Sequence, residues 1–244
     1  MRNIRLLIEY DGTNYHGWQS QKNAAAIQDV MQEAIRRLTG EDCNLIGSSR
    51  TDVGVHALGQ VANFLTGSSI PAGRFSYALN SMLPDDIVVK ESMEVDSEFH
   101  SRYSARGKRY RYLIYNSDFP SALLRNRAFH VPQGLDFEAM EKAAAFFKGT
   151  HDFSAFKSSG SSVKTSVRTI TGISLSRHED IIELNIEGDG FLYNMVRIIA
   201  GTLVEVAMGK IPSSRVPGIL ESRDRKNAGK TAPAHGLYLM EVRY

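Results

Sequence analysis

The chain has 244 residues, enough to bury a core and to fill one large domain or two small ones. With 42% hydrophobic and 9% aromatic residues, its composition is that of a folded globular protein and excludes a disordered chain. A single cysteine, Cys43, excludes an intrachain disulfide and argues against a structural zinc site, and a net charge of +2 does not by itself call for a polyanionic partner.

Taken in order, the chain opens on a strand, Ile4 to Tyr10, ended by the turn Asp11-Gly12-Thr13-Asn14. Charges at Arg2, Arg5 and Glu9 make this opening unlike a secretory leader, so a cytoplasmic location is expected. Tyr15 to Gln19 carries the one tryptophan, Trp18, an aromatic anchor for a loop. Ile27, Val30, Met31, Ala34, Ile35 and Leu38 recur at helical spacing, with Gly40 as the stop.

Gly47 to Gln60 then lies between two apolar runs, Asn44 to Gly47 and Gln60 to Leu65. That placement puts Arg50, Thr51, Asp52 and His56 on a connection between two strands, where reactive side chains collect. An Asp two residues before a Gly also serves simply to brace a turn. A second helix is predicted over Phe75, Ala78, Leu79, Met82 and Leu83, ended by Pro84, and a strand over Ile87 to Val95.

From Ser101 to Ser117 the cations Arg102, Arg106, Lys108, Arg109 and Arg111 stand without an acid, and so do Lys157, Lys164, Arg168 and Arg177 between Phe153 and His178. Such stretches suit a phosphate backbone or, equally, a solvated face. Within the strand Lys108 to Tyr115, Lys108, Tyr110, Tyr112 and Ile114 share one face, while Arg109, Arg111, Leu113 and Tyr115 share the other. Tyrosine rings can stack on unpaired bases, or form strand and core.

Phe137 to Phe147 reads as a helix with Met140, Ala143 and Ala144 on one stripe, and Gly149 to Phe153 as its end. His151 and Asp152 are adjacent, point apart and have no third ligand beside them, so no metal is expected. The serine-rich run Ser158 to Ser166, carrying Lys164, reads as a mobile surface loop. Strands at Val167 to Ser176 and Ile181 to Glu187 lead through the turn Gly188-Asp189-Gly190 to a long helix from about Phe191. Asn194, Arg197 and Glu205 interrupt its apolar run, which makes it a buried helix and not a membrane span. Arg197, set among Met195, Ile198, Ile199, Thr202 and Val206, needs either a carboxylate partner or a route to water.

Arg-Thr-Asp-Val-Gly-Val-His-Ala (50–57) resembles the signature of the tRNA pseudouridine synthase A (TruA) family, in which the Asp is the essential catalytic residue. The family usually has Gly before the Arg; here Ser49 stands there. Further matches are Tyr-Asp-Gly-Thr-Asn-Tyr-His-Gly-Trp-Gln (10–19), Ala-Leu-Asn-Ser-Met-Leu-Pro-Asp-Asp-Ile (78–87), Phe-Leu-Tyr-Asn-Met-Val-Arg-Ile-Ile-Ala-Gly-Thr-Leu (191–203) and Ala-Pro-Ala-His-Gly-Leu-Tyr-Leu (232–239). Resemblance therefore spans nearly the whole chain.

Strands and helices mix in two comparable halves, 1–104 and 105–244, which predicts an α+β fold of two similar subdomains with a basic central cleft. The resemblance adds an antiparallel sheet shared by both halves and flanked by helices, as in the pseudouridine synthase fold, and a homodimer in which one tRNA touches both subunits. It further implies isomerisation of uridine to pseudouridine at positions 38, 39 and 40 of the tRNA anticodon stem-loop, without metal or organic cofactor.

In that scheme Asp52 acts as a nucleophile toward sugar or base, or as the base that starts ribose elimination. Arg197 pairs with it and holds it ionised. Tyr110 stacks on the displaced uracil, Arg50 holds phosphate or props the target nucleotide out of its helix, Arg102 belongs to the RNA-binding set, and Leu237 lies in the closing motif that lines the uridine pocket. Two other classes fit parts of the pattern: a module that remodels RNA without chemistry, and a hydrolase using Asp52 with His56.

Overall fold

The computed structural model describes residues 1–22, 24–160, 163 and 165–244; the loop cation Lys164 lies outside them. In chain order the elements are β1 (Arg2–Tyr10), α1 (Ile27–Thr39), β2 (Ile46–Gly47), β3 (His56–Thr66), α2 (Phe75–Asn80), β4 (Ile87–Val95), β5 (Gly107–Tyr115), β6 (Phe129–His130), α3 (Phe137–Ala145), β7 (Gly149–Asp152), β8 (Val167–His178), β9 (Ile181–Gly188), α4 (Met195–Ala207), α5 (Val216–Ser222) and β10 (Leu237–Arg243). The class is α+β, with antiparallel pairing dominant. No described helix is long and apolar enough to cross a membrane.

The chain forms two compact units, Met1–Arg106 with Tyr238–Tyr244, and Gly107–Leu237. The sequence suggests a division after residue 104; the last strand from Tyr238 onward joins the first unit, where β10 runs parallel to β3, Tyr238 opposite His56 and Leu239 opposite Ala57.

In the first unit β1 is the middle of an antiparallel trio. Leu6 faces Ala62 of β3 on one side and Ser92 of β4 on the other. Its alternation sends Ile4, Leu6 and Ile8 fully into the core. Helix α1 contributes Ile27, Met31, Ala34 and Ile35 to the interior and stops at Gly40, whose φ of 75° is the left-handed conformation glycine tolerates best.

In the second unit β5, β9, β8 and β7 pair antiparallel in that order. Tyr112 and Ile114 face Leu184 and Ile182 across β9, and all four are fully buried. Helix α3 packs against α4 and β8.

Three features differ from expectation. His56 is not on the connection but is the first residue of β3, because its ring is drawn inward, 2% exposed and stacked on Tyr238 at 4.7 Å. Gly149 to Asp152, read only as a helix end, forms β7 by pairing with Val167 to Ile170. The long helix starts at Met195 instead of Phe191, since Asn194 takes the left-handed conformation at φ 61° and the residues before it cannot continue a helix.

Candidate active site

Arg50, Thr51 and Asp52 stand on the connection from β2 to β3, and almost every residue around them is fixed by a bond to something outside the loop. Ser48 N donates to Val61 O at 2.8 Å, and Ser48 Oγ donates to Gln60 Oε1 at 2.8 Å. Gln60 Nε2 returns a bond to Ser49 O at 2.8 Å. Thr51 Oγ1 lies 2.7 Å from the Tyr10 hydroxyl, and Thr51 O accepts from Trp18 N at 3.1 Å. Val55 N donates to Asp52 O at 3.1 Å, and Gly54, at φ 76°, donates to Tyr15 O at 3.3 Å.

Glycines let the opening segment approach this loop. A Cβ on Gly17 would run into Thr51 O, and one on Gly47 into the Trp18 indole. Trp18, 2% exposed, is thus the floor of the loop, the anchor the sequence suggests. Ser49, 7% exposed, is not among the described non-glycine residues of positive φ, which are Glu179, Asn194 and Arg223. A serine is accommodated there without left-handed strain.

The result is a rigid platform that leaves Asp52 half-buried and Arg50 exposed. Gln60 holds it from below and is fully buried. Gln60→Ala leaves the buried Ser48 hydroxyl and Ser49 carbonyl without that partner, and should cost about 2–4 kcal/mol. Thermal melting measures the loss; an unchanged Tm would contradict this bracing.

His56 has its Nδ1 3.1 Å from Gly12 N and 3.0 Å from Asp11 Oδ1, at the turn after β1. With these partners and 2% exposure, the ring is part of the scaffold where the turn after β1 meets β3.

Arg102 is exposed, its guanidinium 5.7 Å from the Tyr103 ring centre. Tyr110, on β5, is 8% exposed and meets Phe191 edge-on at 5.2 Å. Arg197, on the first turn of α4, is half-buried with its head aimed by two bonds: Nε donates to Ala232 O at 2.9 Å and Nη1 to Asn194 Oδ1 at 2.7 Å. Leu237, 7% exposed, begins β10. Arg50, Asp52 and Arg102 belong to the first unit; Tyr110, Arg197 and Leu237 belong to the second.

The closing motif is held at two consecutive residues, one on Arg197 and one on Tyr112. Ala232 N donates to Arg197 O at 3.0 Å, and Pro233 O accepts from the Tyr112 hydroxyl at 2.8 Å. Burial raises the Tyr112 hydroxyl well above its ordinary pKa, with the nearby Arg197 charge opposing, so it stays a proton donor. Gly236 fits because a Cβ there would come within 2.7 Å of the Tyr112 ring.

The basic strand is less cationic than its sequence suggests. Arg109 faces Glu187 directly across β9, and Arg111 pairs with Glu183 at 3.7 Å. The sequence separates these charges by more than seventy positions; the antiparallel register brings them together. Arg102 and Arg106 remain exposed. Asp152 accepts from Ser154 N at 3.0 Å and Ser154 Oγ at 2.6 Å and pairs with Arg223 at 3.2 Å; the Ser154 bond is the largest influence holding its carboxyl below the usual range.

Two supporting residues escape sequence reasoning. Gln60 had a signal, a long polar side chain inside an apolar strand. Asn194 showed only as a polar interruption of an apolar run; its backbone conformation, φ 61°, had no sequence signal.

A family model described as tRNA pseudouridine synthase matches residues 6–104 and 143–244. A protein of Acetivibrio thermocellus named tRNA pseudouridine synthase A is 70% identical over 244 residues, covering all of both chains. Relatives of the same name from Ruminiclostridium cellulolyticum and Thermoanaerobacter pseudethanolicus are 60% and 56% identical, again over the full length of both chains. With the family model covering most of the chain and such identities end to end, the chain belongs to the tRNA pseudouridine synthase A family and is an enzyme of the isomerase class.

Proposed function

We propose that the protein isomerises uridine to pseudouridine at positions 38, 39 and 40 of the tRNA anticodon stem-loop. The observation that carries this is Asp52 held on a braced loop with Arg50 exposed beside it, in a chain of this family. The ribose bond to N1 breaks and a bond to C5 forms; N1 gains a proton and the C5 proton leaves. No electron or external group is exchanged, so one carboxylate suffices.

Asp52 is the anion that starts the reaction, with Arg197 as its cationic partner. Preorganised charge of this kind supplies the greater part of the rate enhancement in many enzymes. Tyr110 stacks on the uracil and Leu237 walls the pocket. Arg50 props the extruded nucleotide, an extrusion that costs a few kcal/mol and least in a loop or weak stem. The protein works in the cytoplasm as a homodimer; the family resemblance supports both.

Mapping pseudouridine in a transcript with uridines at 38, 39 and 40 tests the reaction and its place together. Product at those positions, lost when they are replaced by cytidine, is expected; product elsewhere, or free uracil, would overturn it. Binding should weaken with salt, and Arg102→Ala should lower the log–log salt slope by about 1, since each phosphate contact releases roughly one counterion. A slope equal to that of the unmodified protein would remove Arg102 from the RNA contacts.

A further inference from the structure

We infer that Asn194 is a positioning residue whose left-handed backbone exists to aim its amide at Arg197, tying the guanidinium to the base of the serine-rich loop at Ser158. The inference rests on the reading of Arg197 as an active-site residue.

Asn194 is the N-cap of α4, a position where asparagine ordinarily takes extended φ and ψ and turns its side chain back onto a backbone N–H. Here φ is 61° and ψ is 6°, and the side chain makes no capping bond. The other two described non-glycine residues of positive φ sit where that conformation is routine: Glu179 in the turn between β8 and β9, Arg223 at the C-cap of α5. Asn194 alone among them opens a helix. Asparagine enters the left-handed region more readily than other side chains, so the conformation itself is cheap here; what is unusual is its place at a helix start without a capping bond.

Its bonds show what determines it. Oδ1 accepts from Arg197 Nη1 at 2.7 Å, and Nδ2 donates to Ser158 Oγ at 2.9 Å. The amide has only one possible orientation, because a guanidinium cannot accept and must face the oxygen. Ser158 N also donates to Tyr193 O at 3.1 Å, so Ser158 is fastened to two consecutive residues before α4. Across the loop base, Lys157 Nζ donates to Ser166 Oγ at 3.0 Å. With Ala232 O on Nε and Asn194 on Nη1, the Arg197 fork is gripped from both edges. A helix-capping bond has been given up to obtain this grip, the local sacrifice expected at a working site.

Asn194→Gly separates the two roles, because glycine keeps the left-handed backbone at no steric cost and loses only the amide. If Asn194 served the backbone alone, this variant would be at least as stable and as active as the parent. Positioning predicts an unchanged or higher Tm, kcat lower by about tenfold or more, and KM within about threefold, since misplacing a group by an ångström can cost a hundredfold. In an Arg197→Met background the same change should cause no additional loss in single-turnover rate.

A parent-like kcat in Asn194→Gly, with Arg197→Met inactive, would overturn the inference and leave the proposed function standing; so would an additive loss in the double variant. A parent-like kcat in Arg197→Met would overturn both. Should Asn194→Gly fail to fold, Ser158→Ala decides without touching the left-handed backbone: about threefold lower kcat is expected, and no change would overturn the coupling.

Discussion

Asp52→Ala is expected to lower the isomerisation rate by about four orders of magnitude or more while leaving folding and tRNA binding essentially intact. The loss is large because no second carboxylate shares the braced loop, and the reaction has no detour around the first anion. Folding should survive because the loop is held by groups other than the Asp52 carboxylate: Trp18 on Thr51 O, Tyr10 on Thr51 Oγ1, Gln60 on Ser48 and Ser49. Binding should survive because phosphate contacts dominate RNA affinity, and removing an anion does not weaken them. Asp52→Asn keeps the shape and removes the charge, so it should fall as far as alanine. An RNA-remodelling module without chemistry predicts no change in either variant, which gel-shift titration beside a single-turnover assay would reveal.

Arg197→Met is expected to give the second large effect, a loss of about a thousandfold in single-turnover rate. Methionine retains the apolar stem among Met195, Ile198 and Ile199 but supplies no charge. It also strands Ala232 O and Asn194 Oδ1, each of which accepts from the guanidinium, so a stability loss of about 1–3 kcal/mol should accompany the kinetic one. Arg197→Lys discriminates charge from geometry. An ammonium is a point charge and cannot present Nε to Ala232 and Nη1 to Asn194 together, so lysine should recover only a small part of the rate. Full recovery by lysine would mean that charge alone matters and that the two-sided grip is incidental.

Much of this architecture was legible from the sequence because its signals are local. The α1 stripe from Ile27, the glycine stop at Gly40 and the strand Ile87–Val95 agree with their predicted ranges closely, since periodicity and turn residues determine them within a dozen positions. The placement of Arg50, Thr51 and Asp52 on a connection between two strands was legible for the same reason, and its buried floor at Trp18 followed from a single large aromatic beside a turn.

What remained hidden depends on partners distant in sequence. His56 joins β3 because Tyr238, nearly two hundred positions away, stacks on it. Arg109 and Arg111 look like an uncompensated basic run until β9 sets Glu187 and Glu183 against them. The two-residue strand β6 and the four-residue β7 are too short to show alternation and exist only through pairing with β5 and β8. Asn194 carries no periodic signal at all; its role is visible only as a backbone angle and two bonds.

The central claim is that Asp52 starts an isomerisation in which the base never leaves the RNA. Release of the C5 hydrogen from tRNA labelled at C5 of uridine, measured for the protein and for Asp52→Ala at equal fractions of tRNA bound, tests it most directly. Release by the parent alone, with uracil still attached to the tRNA, is the predicted result; equal release by both, or release of free uracil, would contradict it.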